Sequence, residues 1–443
     1  MMSRLSQPPA VVALSFLTVI ALGTLLLMMP MARADIGGAP FLTALFTATS
    51  AVCVTGLVVV DTGSYWSGFG QGVILALFQV GGFGMMTSAT LLGLLVSRQM
   101  RLRSRLVLQA ETHTLGLGDV KGVAWLVLIV TVVVELIATL VLCLRFFLTY
   151  GMAWDEALWQ AFFHAVSAFN NAGFSTWSDS VTRFVADPWV LVPLMLAIVI
   201  GGLGFPVLHE LFLRRGRRAI LTIHTSLTLW GTAALIIGGT AVLLFAESGN
   251  TRTLGALEMP ERLLAALFTS ISARTAGFNA IDISALTLES LNLHYLLMFI
   301  GGGSAGTAGG VKVTTFFVLL LVVWNEIRGH QDVEYRGRRL SAQVQRQALT
   351  ILVLSAAMIV IATLALVPMT ALPYEKILFE VVSAFATVGL STGITAELPP
   401  AGQYILILLM YTGRVGIVTL AAAFAMNYVR RDYRFPEERP IVG

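Results

Sequence analysis

The sequence predicts an all-α integral membrane protein whose eight transmembrane helices form four tandem repeats. Of its 443 residues, 57% are hydrophobic and only 12% are charged, against about 25% charged in soluble domains. Four short segments end in a glycine that is followed by a large apolar residue, at Gly56, Gly173, Gly277 and Gly389. These glycines are separated by 117, 104 and 112 residues, so one unit recurs four times, and such a recurrence determines the fold prediction.

Each repeat is predicted to contain a span, a short pore segment that enters the membrane without crossing it, and a second span. The spans have the roughly 20 apolar residues needed to cross a bilayer. They are expected at 10–29, 70–97, 122–149, 188–213, 219–246, 291–326, 346–371 and 402–428, and the pore segments at 40–57, 155–174, 260–278 and 374–390. The repeats are therefore 1–97, 98–213, 214–326 and 327–428, followed by a cytoplasmic tail at 429–443.

The distribution of arginine predicts the orientation in the membrane. Arginines cluster after every second span, whereas the opposite loops carry mainly acidic residues. The clusters are Arg98, Arg101, Arg103, Arg105; Arg214, Arg215, Arg217, Arg218; Arg328, Arg336, Arg338, Arg339; and Arg430, Arg431, Arg434. Basic loops stay in the cytoplasm, so we expect a multi-pass protein of the plasma (inner) membrane with both termini cytoplasmic and pore segments that open outward.

The pore segments predict a pseudo-fourfold ion pore. Non-helical backbone at membrane depth is tolerated only where protein or water satisfies it, and four copies can direct carbonyl oxygens at one axis, where they replace the water of an ion. Glycine permits the required backbone conformation, and the negative helix ends favour a cation. The alternative is four ordinary loops with glycine in tight turns. The predicted filter residues are Val52, Cys53, Val54, Thr55, Gly56; Asn170, Asn171, Ala172, Gly173; Arg274, Thr275, Ala276, Gly277; and Ala386, Thr387, Val388, Gly389.

A glycine-rich mark also recurs in the second span of each repeat. It begins at Gly81, Gly201, Gly301 and Gly413, 24 to 28 residues after the filter glycines. Close helix packing and a role in lining a cavity both explain it. In the fourth copy Arg414 occupies a glycine slot, and an arginine at this depth costs at least about 2.5–3.5 kcal/mol unless it faces a cavity or a partner. We expect Arg414 to line the pore as an electrostatic barrier, with Glu380 as its candidate partner.

The third copy of this mark extends into a run too rich in glycine to sustain a helix. The sixth span is therefore predicted to break into a loop and to resume as a helix at Val313. We expect this loop to act as a gate beneath the filter. A phosphate-binding loop is the alternative, but that pattern needs Gly-Lys-Ser/Thr and Val311 intervenes. The predicted gate residues are Gly301, Gly302, Gly303, Ser304, Ala305, Gly306, Thr307, Ala308, Gly309, Gly310, Lys312 and Arg414.

Taken together, the motifs closely resemble the Trk/Ktr/HKT superfamily of potassium transporters over essentially the whole chain. The resemblance is carried by residues 47–57, 167–174, 272–279, 306–312 and 413–416. The start on the first repeat makes the chain look more like the KtrB membrane subunit than like TrkH. Cys53 departs from the threonine expected there. This departure affects only the role of the side chain, since the Cys53 carbonyl can still serve as a filter ligand.

The resemblance implies a potassium-translocating subunit of a Ktr-type uptake system, with the glycine-rich loop as its gate. It implies a homodimer in the lipid membrane, one pore per protomer, on a cytosolic KtrA-like nucleotide-binding ring that controls the gate. It further implies that Gly56 favours K⁺, that Na⁺ is a candidate activator, and that this chain needs no organic cofactor and no nucleic acid. The alternative is an ion-coupled cation carrier, such as a Na⁺-dependent symporter. An enzyme is not expected, because the histidines are scattered and no metal-ligand spacing appears.

Overall fold

The protein is predominantly helical in the computed structural model, which describes residues 8–99, 120–213 and 221–416. The longer helices are α1 (Pro8–Leu27), α2 (Phe41–Val52), α3 (Gly68–Gln99), α4 (Val120–Tyr150), α5 (Trp154–Asn170), α6 (Pro188–Leu203), α7 (Phe205–Leu213), α8 (Ile223–Glu247), α9 (Met259–Ser272), α10 (Leu288–Phe299), α11 (Val313–Ile327), α12 (Ala342–Leu366), α13 (Tyr374–Ala386) and α14 (Pro400–Val415). Strands β1 (Glu334–Tyr335) and β2 (Arg338–Arg339) form an antiparallel hairpin. Short turns of helix are Thr62–Tyr65, Pro30–Ala32, Thr182–Phe184, Leu254–Ala256, Ile283–Ala285, Val367–Met369 and Thr395–Glu397.

Side-chain caps fix where several helices begin. Asp187, Thr222, Thr287 and Ser341 each accept a hydrogen bond from a backbone N–H in the first turn of α6, α8, α10 and α12. Such caps satisfy donors that have no partner within the helix. The polar residues between the apolar runs thus set the bounds of the helices.

Several helices are apolar enough to lie in a membrane. In the described part of the chain, three segments are long and apolar enough to cross it, Trp125–Tyr150, Ile223–Glu247 and Ala342–Met369, and the bent pair of α6 and α7 makes a fourth if it counts as one span. Shorter apolar helices, such as Val313–Ile327, lie beside them. The organisation into eight spans stays a prediction.

The helices close into a ring around four short central helices. Each of α2, α5, α9 and α13 packs against its own repeat and also against a helix of a neighbouring repeat. Thus α5 contacts α3, α9 contacts α6, and α13 contacts α10. The ring closes because α14, near the end of the described chain, packs against α2.

The four central helices share one register. Phe46, Phe163 and Phe379 each lie ten residues before a segment-ending glycine, and all three are fully buried. In the third copy the equivalent phenylalanine, Phe268, lies nine residues before its glycine and is also fully buried. The third copy is therefore one residue shorter between its helix and its glycine.

The structure corrects one predicted span. Residues 188–213 do not form a continuous helix, because α6 and α7 are bent by 97° at Gly204. Other predictions fall outside the described residues: the end of the last span at 417–428, the tail, and the arginine clusters at 101–105, 214–218 and 430–434.

Candidate pore and gating loop

The four glycine-ended segments meet in a closed ring. Each glycine lies so close to the next segment that a Cβ atom would collide with the carbonyl oxygen of the residue before the next glycine. The pairs are Gly56 with Ala172, Gly173 with Ala276, Gly277 with Val388 and Gly389 with Thr55. The glycines also have φ values of +90°, +69°, +76° and +95°, a region that residues with a Cβ rarely adopt. The ring thus requires glycine at all four positions.

A second residue in each segment has left-handed backbone. It lies two places before the glycine: Val54, Asn171, Thr275 and Thr387 have φ values of 56°, 58°, 90° and 51°. This conformation costs roughly 1–2 kcal/mol per residue with a Cβ. All four are at most 1% exposed, so the surrounding packing holds them in place. The four copies therefore share one backbone geometry.

A serine hydroxyl braces each segment against its own helix. The Ser50 and Ser383 hydroxyls accept hydrogen bonds from the N–H of Gly56 and Gly389, at 3.1 and 3.2 Å. Ser167 and Ser272 instead donate to the carbonyls that follow their glycines, those of Phe174 at 2.8 Å and Phe278 at 2.6 Å. Ser272 thus fulfils this role from one position later in the sequence, as the shorter third copy requires.

The ring offers oxygen atoms as ligands. Its carbonyl groups are accompanied by the hydroxyls of Thr55, Thr275 and Thr387, which are buried and have no hydrogen-bond partner within the described residues. Oxygen ligands of this kind suit hard cations. The C-terminal ends of the four central helices, which carry partial negative charge, lie immediately before the ring. The arrangement can therefore replace the hydration shell of a cation.

A cavity of about 360 Å³ lies on one side of the ring and is lined by all four of its glycines. Around them its wall includes residues 58–62, 174–180 and 391–396 in part. We call this cavity the vestibule. It gives the ring an approach from one side.

Some predicted filter residues direct their side chains away from the ring. The Asn170 amide donates to Gln79 Oε1 at 2.5 Å and to Glu135 Oε1 at 3.4 Å, and Gln79 donates to Glu135 Oε2 at 3.3 Å. Glu135, Gln79 and Asn170 thus form one hydrogen-bonded cluster. The partners of Glu135 come from α3 and from the end of α5, whose proximity no local sequence pattern signals.

The predicted gate residues 301–310 form a loop between α10 and α11, which starts at Val313 as expected. The loop is bonded to the backbone at the end of α6. Gly303 N–H donates to the Gly202 carbonyl at 2.7 Å, and Thr307 N–H donates to the Gly201 carbonyl at 3.2 Å. In return Phe205 N–H donates to the Ala305 carbonyl at 3.2 Å. The two helix breaks therefore satisfy each other's backbone groups.

The bend at Gly204 follows from the same contact. Gly204 has φ +89° and ψ 146°, and a Cβ atom there would collide with the carbonyl oxygen of Ser304. The sequence signal was the run Gly201-Gly202-Leu203-Gly204, but the similar run 81–84 lies inside the continuous helix α3. The bend thus depends on the loop that Gly204 contacts.

Side chains from the ring also bond to the loop. The Asn171 amide donates to the Thr307 hydroxyl at 2.7 Å, and the Arg274 guanidinium donates to the Gly301 carbonyl at 3.1 Å. The ring and the loop are thus one hydrogen-bonded unit.

Two further cations hold the loop. The Arg414 guanidinium, 1% exposed, donates to the carbonyls of Thr307 and, at 3.2 Å, of Gly81. Lys312 Nζ donates to the carbonyls of Ala308 at 2.5 Å and Gly309 at 3.5 Å. Together with Arg274, three cationic side chains therefore surround the loop on its side of the ring.

The expected pairing of Arg414 with Glu380 is wrong. Both Glu380 carboxylate oxygens accept hydroxyl hydrogen bonds, one from Ser391 and one from Thr395 at 3.1 Å. These two hydroxyls belong to the vestibule wall. Glu380 is thus on the vestibule side of its helix, whereas Arg414 contacts the loop.

The glycine marks of the second spans serve close packing in three of the four copies. A Cβ atom on Gly81, Gly201 or Gly413 would collide with a carbonyl oxygen in the last turn of the central helix of the same repeat. The oxygens belong to Val52, Phe169 and Phe385. Of the two roles that the sequence left open, packing accounts for these three glycines.

Comparison with known proteins identifies similar chains. The model of the TrkH family, described as cation transport protein, matches residues 3–430. The "Ktr system potassium uptake protein B" of Bacillus subtilis (strain 168) is 38% identical over 98% of this chain and 97% of its own length. The protein of the same name from Vibrio alginolyticus is 36% identical over 98% of this chain and 95% of its own. The "Potassium/sodium uptake protein NtpJ" of Enterococcus hirae is 35% identical over 99% of this chain and 98% of its own length.

A solved structure has the same fold. The potassium transporter TrkH from Vibrio parahaemolyticus superposes with a TM-score of 0.73, covering 94% of this chain and 84% of that one. Sequence identity is 18%, so this likeness concerns the fold alone.

The bend at Gly204 provides a test of the loop contact. We expect Gly204→Ala to disrupt the loop, because alanine combines a strained φ with a collision against Ser304. Protease susceptibility of the loop in detergent-purified protein should rise, and the melting temperature should fall. Gly238→Ala is the matched control, since Gly238 lies in α8 with open space around its Cβ position, and alanine there should be neutral or stabilise by up to about 1 kcal/mol. Equal behaviour of the two variants would contradict this account of the bend.

Proposed function

Because the chain belongs to the TrkH family of cation transport proteins, we propose that it is the potassium-translocating membrane subunit of a Ktr-type uptake system. The observation that carries the proposal is the closed ring of four glycines, in which each segment contributes a carbonyl beside its neighbour's glycine. The names of relatives that match nearly the whole chain support potassium as the transported ion. The protein acts as a transporter and performs no chemical reaction.

The proposed architecture has eight spans in four repeats, with the bounds given by the sequence except that the fourth span is bent at Gly204. The ring closure between α14 and α2 and the shared register of Phe46, Phe163, Phe268 and Phe379 support four equivalent units about one axis. The filter would comprise the residues named above from Val52 to Gly56 and their three counterparts. The vestibule would face outward and the loop inward, with both termini in the cytoplasm of a cell whose inner membrane holds the protein.

A pore explains the site better than a sodium-coupled carrier does. Carriers with broken helices at the midplane are commonly built from inverted repeats, whereas the four segments here have one backbone geometry in one ring. The membrane potential supplies about 2.3 kcal/mol per charge per 100 mV, which drives uptake without a second ion. Sodium is then an activator, and the relative named for potassium and sodium uptake keeps this ion in the proposal.

The test of the filter is Gly56→Ser. The added side chain collides with the Ala172 carbonyl at φ +90°, so we expect one of four carbonyl contributions to be displaced and the preference for K⁺ over Na⁺ to fall severalfold. Uptake of ⁸⁶Rb⁺ and ²²Na⁺ in a transport-deficient strain measures the ratio. Gly37→Ser is the matched control, because Gly37 also has positive φ, +105°, but open space around it. An unchanged ratio in Gly56→Ser protein that reaches the membrane would exclude Gly56 from the filter.

The loop at 301–312 is proposed as the gate. Its hydrogen bonds to Gly201, Gly202 and Asn171 keep backbone beneath the ring, and Arg414 and Lys312 add positive charge that repels a cation in a medium of reduced dielectric constant. The loop would thus block the path sterically, and the positive charges of Arg414 and Lys312 would raise the electrostatic barrier to a cation.

Removing Ser304, Ala305 and Gly306 should raise ⁸⁶Rb⁺ uptake severalfold and make it independent of a regulatory partner, because the loop could no longer reach across the path. Arg414→Ala should also raise uptake. Arg414→Lys keeps the positive charge but not the hydrogen bonds to both carbonyls, so it separates the effect of the charge from the effect of the bonds. Uptake by the loop-shortened protein no faster than that of the intact protein, at equal membrane expression, would show that the loop is not the gate.

We further propose that the protein acts as a homodimer with a cytosolic KtrA-like nucleotide-binding ring. Relatives named as parts of a Ktr system support a partner, and the hairpin β1–β2 presents three exposed arginines, Arg336, Arg338 and Arg339, on the side that the orientation makes cytoplasmic. Inside-positive topology explains these arginines equally well, so the hairpin needs its own test.

Co-purification with a KtrA-like protein provides this test. Replacing Arg336 and Arg338 with glutamate should weaken the complex, and the wild-type complex should weaken as salt rises, because exposed charges are screened. Arg252→Glu is the control, since Arg252 is exposed in a loop that the proposed topology places outside. Failure of the wild-type protein to form a complex even at low salt would contradict the proposed partner.

A further inference from the structure

The vestibule has a second ring of residues directly outside the glycines. The residue two places after each glycine lines this cavity in all four copies: Val58, Ser175, Asn279 and Ser391. Three of the four carry a side-chain oxygen. A cation that approaches the glycine ring must pass this level first.

The Glu380 carboxylate orients the Ser391 hydroxyl. The hydroxyl hydrogen is donated to a Glu380 oxygen, and the N–H of Gly393 donates to the Ser391 oxygen at 2.8 Å. Thr395 donates to the other Glu380 oxygen at 3.1 Å and also lies 3.0 Å from the Ser391 oxygen. A hydroxyl has one hydrogen and two lone pairs. The Ser391 hydrogen is thus directed away from the vestibule, and its oxygen is left to accept.

The second copy repeats this arrangement with different chemistry. His164 lies nine residues before its glycine, as Glu380 does. Its Nδ1 is 2.7 Å from the Gln160 carbonyl, which can only accept, so Nε2 is the acceptor for the Ser175 hydroxyl at 2.9 Å. The N–H of Trp177, two residues on, donates to the Ser175 oxygen at 3.0 Å. A longer contact joins Ser175 to the Ser180 carbonyl at 3.5 Å. Both serines are therefore held with an oxygen available to the vestibule.

The third copy contributes an amide. Asn279 Oδ1 is buried and has no hydrogen-bond partner within the described residues, although the residue lines the vestibule. Buried oxygen atoms without a partner are costly. A cation at this level would satisfy Asn279 Oδ1 together with the two serine oxygens.

Charge also favours a cation here. Glu380 is fully buried, and no Lys, Arg or His of the described residues forms an ion pair with it. A buried carboxylate without a cationic partner is expensive. A positive ion in the vestibule, one hydroxyl away, would offset part of that cost.

We propose that Ser175, Asn279 and Ser391 form an outer binding site for a monovalent alkali cation, and that Glu380 and His164 are positioning residues that orient its serine hydroxyls. The inference rests on the proposed transport function and adds to it a site outside the filter at which the incoming ion first loses water. We therefore expect substitutions at this outer site to change the apparent affinity for external cation, whereas the maximal rate depends on other parts of the protein.

The test is the dependence of ⁸⁶Rb⁺ uptake on external Rb⁺ concentration. Glu380→Gln should raise KM about three- to tenfold with little change in maximal rate, because the amide introduces a donor where both oxygens accepted and removes the charge. Ser391→Ala should raise KM similarly. The double variant should show less than the product of the two effects, because the residues act as a unit.

Glu247→Gln is the matched control. Glu247 is also fully buried, and its oxygens accept hydrogen bonds from Asn250, Thr253 and Thr287, which do not line the vestibule. This variant should lower stability without changing KM.

Val58→Thr gives a test in the opposite direction. Threonine has the shape of valine and adds an oxygen at the fourth position of the outer ring, so KM should fall. This variant also decides the matter if Glu380→Gln fails to fold. Wild-type uptake with an unchanged KM in Ser391→Ala and Val58→Thr would overturn the outer site, whereas an absence of wild-type Rb⁺ uptake would contradict the proposed function instead.

Discussion

The structure depends on one constraint: backbone groups exposed by broken helices inside an apolar protein must find partners. Each unsatisfied N–H or C=O group at such depth costs several kcal/mol. The chain meets this constraint by pairing two breaks, so that the loop after α10 bonds to the end of α6 through Gly201 and Gly202 and to the start of α7 through Phe205. Each break thus supplies hydrogen-bond partners for backbone groups of the other. A rearrangement of α7, which starts at Phe205, would therefore act directly on the loop beneath the ring.

The sequence was sufficient to predict the ring, because positive φ and close backbone approach both demand glycine, and four such glycines recur at similar intervals. The third copy is offset, because Ile271 stands six residues before its glycine, where the other copies have Ser50, Ser167 and Ser383. The consequence of that offset needed coordinates, since only they show Ser272 bonded to Phe278. Local patterns thus predict where backbone is unusual but not which neighbour satisfies it.

The bend at Gly204 shows why the rest could not be predicted. Residues 81–84 and 201–204 have nearly the same sequence, yet α3 continues through the first run and α6 ends within the second. The difference lies in the Ser304 carbonyl, which approaches Gly204 from another repeat. The same limit applies to the predicted pair of Arg414 and Glu380. The prediction matched their opposite charges, but carbonyl oxygens can satisfy a guanidinium and hydroxyl groups can satisfy a carboxylate.

Four similar backbone segments form the ring, but the side chains around them differ, and under the proposed function this difference would give the ion path a direction. Glu380 lies behind the vestibule, and the cationic groups of Arg274, Lys312 and Arg414 contact the loop on the other side of the ring. Under the proposed function, a positive ion would therefore be attracted in the vestibule and repelled at the loop. Because the ring itself offers neutral carbonyls, selectivity can reside in the symmetric backbone. The control of flux can then reside in asymmetric charges, and either can change without altering the other.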